Sequence, residues 1–168
     1  IFINDGSKDK TSSIIENLLN KDYLVKLIDF SRNFGKESAM LAGLKNASGS
    51  YVAIMDADLQ HTPEMLVLMY KKLINDDSFD CCCAYKSNRE DEGSLKRTLT
   101  SLFYKINNKI SDVTLLPGAS DFRVFKKSVC DAITSLDEKT RFLKGMFSWV
   151  GFNTIYVPYM PEKRMYGT

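Results

Sequence analysis

Apolar runs and polar breaks alternate along this chain at intervals that separate strands from helices. Tyr51-Val-Ala-Ile-Met55 is a continuous apolar run that stops abruptly at Asp56-Ala-Asp58-Leu-Gln60. A short run bounded by charge in this way predicts a strand buried on both faces, as in a parallel sheet. Upstream, Ile1-Phe-Ile3 leads into the polar turn Asn4 to Asp9, which carries helix-capping residues. Ile14, Ile15, Leu18 and Leu19 then recur at helical spacing and predict a helix over about Thr11 to Asn20. Tyr23 to Phe30 reads as a strand and Ser31 to Lys36 as a loop. Ala39, Met40, Ala42, Gly43 and Leu44 mark a second helix that Ser48-Gly49 ends. Thr62-Pro63-Glu64 opens a third helix with proline at its first position, and Phe79 to Ala84 is another strand.

This β-α-β-α-β-α-β order with short connections predicts an α/β fold: a mostly parallel central sheet with right-handed crossovers, flanked by helices. The second half is less regular. An amphipathic helix from about Ser94 to Ser111 precedes the loop Leu116-Pro-Gly-Ala-Ser120, and a short strand holds Asp121 to Phe125. Helices follow near 127–136 and 140–149, with a last strand at Phe152 to Val157. With no repeat, low-complexity stretch or linker, one domain over 1–168 is expected.

With 44% apolar and 26% charged residues, the 168-residue chain can bury a sizeable core and is not a disordered one. Its 23 basic and 21 acidic residues are interspersed, so no nucleic-acid footprint appears. No eighteen-residue apolar run and no signal-peptide pattern occur, so this stretch is expected to be soluble by itself, including as one part of a membrane-attached protein. Cys81, Cys82 and Cys83 are consecutive. Alternation along a strand keeps them from converging on one tetrahedral metal, so they read as small buried strand residues in a reducing compartment. Phe142, Phe147 and Trp149 read as core packing, with a helix lying near a membrane surface as the alternative. His61, the one histidine, reads as incidental.

The chemistry starts at Asp56 and Asp58. Carboxylates at the carboxyl end of a buried strand sit where open α/β sheets bind ligands. Hard oxygen donors this close suit Mg2+ or Mn2+ shared with a ligand's phosphates. Asp-x-Asp alone is common in loops; its position after the apolar run gives it weight. Arg32 and Lys36 flank a glycine-containing loop whose backbone can approach phosphate. Neither G-x-G-x-x-G nor a P-loop lysine motif is present.

Several segments, in order, resemble those of the family 2 glycosyltransferases of GT-A fold, and within them the dolichyl/polyprenyl-phosphate hexosyltransferase group. They are Asn4-Asp-Gly-Ser-Lys-Asp-Lys-Thr11, Ser31-Arg-Asn-Phe-Gly-Lys-Glu37, Asp56-Ala-Asp-Leu-Gln-His61 with Pro63-Glu64, Ala119-Ser-Asp-Phe-Arg123, and Arg141-Phe-Leu-Lys-Gly145 with Trp149-Val-Gly151. Measured against that family, the stretch lacks the first strand and the C-terminal part of the catalytic domain. Relatives continue past Arg164-Met-Tyr-Gly167-Thr168 into a Ser-Lys pair, and often into transmembrane helices. Lys86 and Arg89 stand where many relatives have two arginines, and lysine keeps the charge without the two-pronged phosphate geometry.

The resemblance implies a role for each candidate. Asp5 accepts a hydrogen bond from the nucleotide base, the loop bearing Arg32 and Lys36 lies near the nucleotide, and Arg164 approaches the pyrophosphate. Asp58 coordinates the metal and is catalytic through it; Asp56 contacts ribose or metal. Gln60 contacts donor sugar or acceptor. Lys86, Arg89 and Arg123 gather around an anionic acceptor. Asp121 is the acidic residue on the acceptor side: a base toward a sugar hydroxyl, or an orienting group toward a lipid phosphate that is already anionic. For each of these, a turn, cap or solvated charge is the plain alternative reading.

The expected activity is metal-dependent, inverting transfer of a hexose from a UDP- or GDP-sugar to polyprenyl phosphate at the cytoplasmic membrane face. Membrane contact would run through segments outside this stretch. Transfer to a glycan or cell-wall polymer is the alternative enzyme, and a GT-A-like module that holds nucleotide without activity is the alternative class.

Overall fold

A computed structural model of the chain describes residues 1–21, 24–86, 118–136 and 142–160. The helix expected at Ser94 to Ser111 lies outside them, as do Tyr23, Arg89, Arg141 and Arg164. The described residues fall into two compact units, Ile1–Gly49 with Thr134–Phe142, and the remainder.

In the first unit, β1 (Phe2–Asn4) pairs in parallel with β2 (Leu27–Asp29), joined through α1 (Thr11–Leu19). Asp9 prepares the start of α1: its Oδ1 accepts both the backbone N–H and the hydroxyl of Thr11, at 3.0 and 2.6 Å. Those bonds hold the Asp9 carboxyl below its usual range, the hydroxyl contributing most. Helix α2 (Lys36–Asn46) begins after Gly35 and ends before the Ser48-Gly49 break, as the sequence pattern implies. The buried Asn4 ties the carboxyl ends of β1 and β2 to α1. Its Nδ2 donates to Ser12 Oγ at 2.7 Å and Asp29 Oδ1 at 2.8 Å, and Ser12 Oγ donates to Asp29 Oδ2 at 2.8 Å.

The second unit is a four-stranded sheet in the order β3 (Tyr51–Ile54), β5 (Ala119–Lys126), β4 (Cys81–Lys86), β6 (Thr154–Tyr159). Strands β4 and β6 are parallel, but β5 runs antiparallel to both β3 and β4. The four-stranded sheet is therefore mixed, with β5 its antiparallel member. The chain leaves β4 at Lys86 and re-enters beside it, with Lys86 N–H donating to Gly118 O at 3.1 Å, so β5 must run back along β4. Helix α3 (Pro63–Asn75) has the predicted start: Thr62 Oγ1 accepts the Met65 N–H at 3.3 Å, and proline is the first helical residue. Met69 and Leu73 of α3 pack on Cys82, Ala84, Phe122, Val124 and Val157 to form the core. Helices α4 (Lys127–Ser135) and α5 (Leu143–Trp149) bury Val129, Cys130, Ile133, Leu143, Met146 and Phe147.

Two expectations change here. Strand β3 lies at the edge of the four-stranded sheet; Ala53 is exposed and its neighbours only half-buried, so the doubly covered strand is β4. Of the three aromatics read as core, Phe147 is buried edge-to-face on Phe125 at 5.0 Å, whereas Phe142 and Trp149 are 48% and 62% exposed. Cys81, Cys82 and Cys83 are buried and free in β4, as expected, and Cys130 is also buried and free.

Burial disfavours the thiolate and pushes Cys81 from its ordinary 9.0 up to about 12, and Cys82 up to about 11. A neutral thiol is not a nucleophile. At pH 8 none of the four should take up a thiol reagent in the native protein, and all four should in denaturant, as mapped by mass spectrometry. The linkage has a definite sign. Above pH 9 the unfolded chain ionises Cys81 and Cys82 while the folded chain retains their protons until about 11 to 12. Their contribution to stability is therefore complete below 9 and falls as pH rises through that window. Labelling of Cys81 or Cys82 at pH 8 without unfolding would contradict this burial.

Candidate functional site

The first unit holds three of the candidate residues, Asp5, Arg32 and Lys36, around the turns that follow β1 and β2. Asp5 follows β1 directly, and both its carboxylate oxygens accept backbone amides of the second turn: Phe34 N–H to Oδ1 at 2.7 Å, Gly35 N–H to Oδ2 at 2.9 Å. Gly6 lies against the backbone of Arg32 and Asn33, a close approach that leaves no room for a Cβ. The Arg32 guanidinium stands 4.6 Å from the centre of the Phe34 ring, which meets Phe30 edge-to-face at 5.5 Å. Arg32 and Lys36 are both exposed, and Lys36 is the first residue of α2. Asp5 thus clasps the Ser31–Gly35 loop, while each of its oxygens keeps a second lone pair for a ligand.

In the second unit, Asp56 and Asp58 follow the carboxyl end of β3, and both are half-buried. Asp58 Oδ1 accepts the Gln60 N–H at 3.1 Å, closing a tight turn in which Leu59 adopts φ +62°. A left-handed leucine is uncommon and costs about 1 kcal/mol or more, so packing elsewhere must hold the turn. That packing comes from the next residue but one. His61 is only 8% exposed, its ring stacked on Phe122 at 4.4 Å, with Nε2 3.2 Å from the Tyr159 hydroxyl. Burial pushes the Tyr159 phenol above its ordinary pKa; a hydrogen bond with the Ser120 side chain opposes this, and the Asp56 and Asp58 carboxylates add to it. Tyr159 is therefore within electrostatic reach of both aspartates and meets β5 through the Phe122 ring.

Asp121 follows Ser120 in β5 and is half-buried, 4.0 Å from Lys144 Nζ. Lys86 ends β4, half-buried, in register with Tyr159. Arg123 is buried and is not a solvated charge at a strand edge. It is 5% exposed, its guanidinium lies 4.1 Å from the centre of the Phe147 ring, and Nη2 donates to Ser120 O at 2.8 Å. The flat cation is desolvated against an aromatic face and spends a donor on the backbone beside Asp121. Arg89 and Arg164 lie outside the described residues. An open groove of about 620 Å3 along α3, between Glu64 and Asp76 and reaching Ile155, contains none of the candidate residues.

Among the described residues no cluster of three His, Cys, Asp or Glu side chains is arranged to hold a metal. Asp56 and Asp58 offer two hard carboxylates, with the Gln60 amide oxygen nearby in sequence. That donor set suits a divalent ion which draws its other ligands from phosphate and water, as Mg2+ and Mn2+ do, and not a closed protein cage. No helix among the described residues is long and apolar enough to cross a membrane.

Sequence reasoning passed over His61 and Tyr159. A histidine directly after the acidic motif and directly before the Thr62-Pro63 cap was the available signal. Its partners lie 61 and 98 positions further on, which local pattern does not reveal.

Solved structures similar to this chain include glycosyltransferases. The mannosyltransferase PcManGT from Pyrobaculum calidifontis, in complex with GDP-Man and Mn2+, superposes with a TM-score of 0.61 at 19% identity, over 98% of this chain and 48% of that one. Glucosyl-3-phosphoglycerate synthase from Mycobacterium tuberculosis, with Mn2+, UDP-Glc and phosphoglyceric acid, gives 0.60 at 14% identity, over 98% and 60%. These likenesses define the class, an α/β protein of GT-A fold. Residues 1–134 match the glycosyl transferase family 2 profile, and the chain belongs to that family. It is 42% identical over 167 residues to the bactoprenol glucosyl transferase of Shigella phage SfV, covering 99% of this chain and 54% of that protein. It is 36% identical to the uncharacterized glycosyltransferase YkcC of Bacillus subtilis, over 99% and 51%. The chain thus spans about half the length of the curated relatives it matches.

Proposed function

We propose that the protein transfers glucose from a nucleotide-sugar, with inversion, to a polyprenyl phosphate of the bactoprenol type at the cytoplasmic membrane face. The observation that carries the reading is the Asp56–Gln60 turn at the carboxyl end of β3, in a chain so similar to proteins named bactoprenol glucosyl transferase. The catalytic domain extends over 1–168 in this reading.

Departure of a nucleoside diphosphate builds negative charge as the glycosidic bond breaks. Asp56 and Asp58 would hold Mg2+ or Mn2+, whose charge at the diphosphate offsets that build-up. Asp58 fixes the turn through its bond to Gln60 N–H, so the same carboxylate shapes the loop and presents a ligand oxygen. Asp5 keeps the Ser31–Gly35 loop, with Arg32 and Lys36, in the form in which it meets the nucleotide; Arg164 completes the pyrophosphate contacts. Gln60 faces the sugar. A phosphate acceptor needs no base, so Asp121 orients hydroxyls and does not remove a proton. Lys86 and Arg89 take the acceptor phosphate. Arg123 acts from the core, holding the Ser120–Asp121 backbone in place.

The test is transfer from radiolabelled UDP-glucose and GDP-mannose by the full-length protein in membranes, with and without Mn2+. Polyprenyl phosphate and soluble saccharides serve as competing acceptors. Manganese-dependent formation of a lipid-linked glucose is expected. Transfer only to a saccharide would replace the acceptor reading with glycan extension, and nucleotide binding without transfer would reduce the protein to a binding module.

A further inference from the structure

We infer that His61 and Tyr159 form a positioning couple that fixes the Asp56–Gln60 turn against the Ser120–Asp121 segment at the start of β5, so that donor-side and acceptor-side carboxylates keep one geometry. The inference rests on the reading of Asp56 and Asp58 as the donor site. The turn itself is not self-supporting: Leu59 holds a left-handed φ of +62° and is 53% exposed, so it has little packing of its own. Its anchor is the residue after Gln60. His61 is buried, stacked on Phe122 of β5, and joined through Nε2 to the Tyr159 hydroxyl at the end of β6.

Tyr159 makes the couple more than a core contact. Its ring meets Phe122 at 6.5 Å and His61 at 5.3 Å, so two aromatic neighbours fix its direction. Its hydroxyl lies 3.2 Å from the His61 Nε2. Ser120 in turn is locked by its own bonds, Oγ donating to Ala84 O at 3.0 Å and accepting Phe122 N–H at 3.1 Å. Through the Phe122 ring, and the Phe122 N–H bond to Ser120 Oγ, the pair therefore links the residue after the acidic turn to the residues that flank Asp121. His61 and Tyr159 touch no substrate; they act through the residues they hold.

Four variants of the full-length protein test this: Tyr159→Phe, His61→Phe, the pair together, and His61→Gln, which keeps a hydrogen-bonding group near the place of Nε2. The phenylalanine variants retain the stacked rings, so folding is preserved. Two readouts are taken. In metal-free protein, hydrogen exchange at the Gln60 and His61 amides should quicken by about tenfold in Tyr159→Phe, the loss of one hydrogen bond's worth of local stability, while amides of α3 stay unchanged. In the transfer assay, kcat should fall by about tenfold with donor KM within about twofold, because a misplaced charge site costs the transition state more than the ground state. The double variant should be no worse than the more impaired single, and His61→Gln should recover part of the loss. Unchanged exchange at Gln60, or losses that simply add in the double variant, would overturn the couple. If the unaltered protein transfers no sugar, the donor-site reading fails, and the exchange rates alone still decide whether the couple holds the turn.

Discussion

Asp58→Asn should reduce transfer by about a thousandfold, equivalent to about 4 kcal/mol of lost transition-state stabilisation, while leaving the fold intact. The substitution separates two jobs of one side chain. Asparagine keeps Oδ1, so the bond that accepts the Gln60 N–H at 3.1 Å survives and the turn with its left-handed Leu59 persists. What disappears is the negative charge. A neutral amide is a poor ligand for a hard divalent ion, and the diphosphate then leaves without its counter-charge. Asp58→Ala removes both the charge and the turn bond, and should add a loss of local order that Asp58→Asn does not show. The checks are transfer rate against Mn2+ concentration, and calorimetric titration of the nucleotide with and without Mn2+. Asp58→Asn with near-normal transfer and an unshifted Mn2+ requirement would remove the central support for the donor site. An equal loss in both variants would say that the charge is everything and the turn bond nothing.

The parts of this fold that announced themselves were those coded locally. Thr62-Pro63 set the start of α3 because a capping hydroxyl and a proline act within one turn of where they sit. The triple cysteine was legible as buried strand because alternation places neighbours on opposite faces, and β4 is covered on both. Direction and position in the sheet were not legible. The apolar alternation of β5 is the same whether the strand runs up or down, and only the return of the chain beside Lys86 makes it antiparallel. Strand β3 looked doubly buried from its composition, yet burial depends on neighbours in the sheet order, which places it at an edge.

The site divides along the same line. The carboxylates at the end of β3 could be placed from the run that precedes them. Arg123 could not: a strand arginine is ordinarily exposed, and its inward turn needs Phe147 to receive the guanidinium and Ser120 O to accept from it. The role of Asp5 as a clasp was hidden for a similar reason, because its partners are backbone amides 29 and 30 residues away, and amides carry no sequence signature.

That clasp supports the second large expectation. Gly6→Ala should destabilise the protein by about 3 kcal/mol, of which about 1 is the cost of a left-handed residue with a Cβ and the rest the displacement of packed backbone. Gly6 has φ +71°, and an added Cβ would lie 2.4 Å from the carbonyl carbon of Arg32 and 2.6 Å from Asn33 N. These are backbone atoms, so no rotamer change relieves the contact. The Ser31–Gly35 loop must move, and movement there pulls Phe34 and Gly35 N–H away from the Asp5 carboxylate, at 2.7 and 2.9 Å in place. Nucleotide binding should weaken by about tenfold or more as Arg32 and Lys36 shift with the loop. Gly151→Ala is the control. It shares a left-handed φ, +76°, but its Cβ would meet nothing within 4 Å, so it should cost only the conformational part. Urea unfolding midpoints of the two variants measure the difference. Equal losses would mean that the close approach of the two loops contributes nothing, whereas a larger loss in Gly6→Ala, with accelerated hydrogen exchange at Phe34 and Gly35, is the expected result.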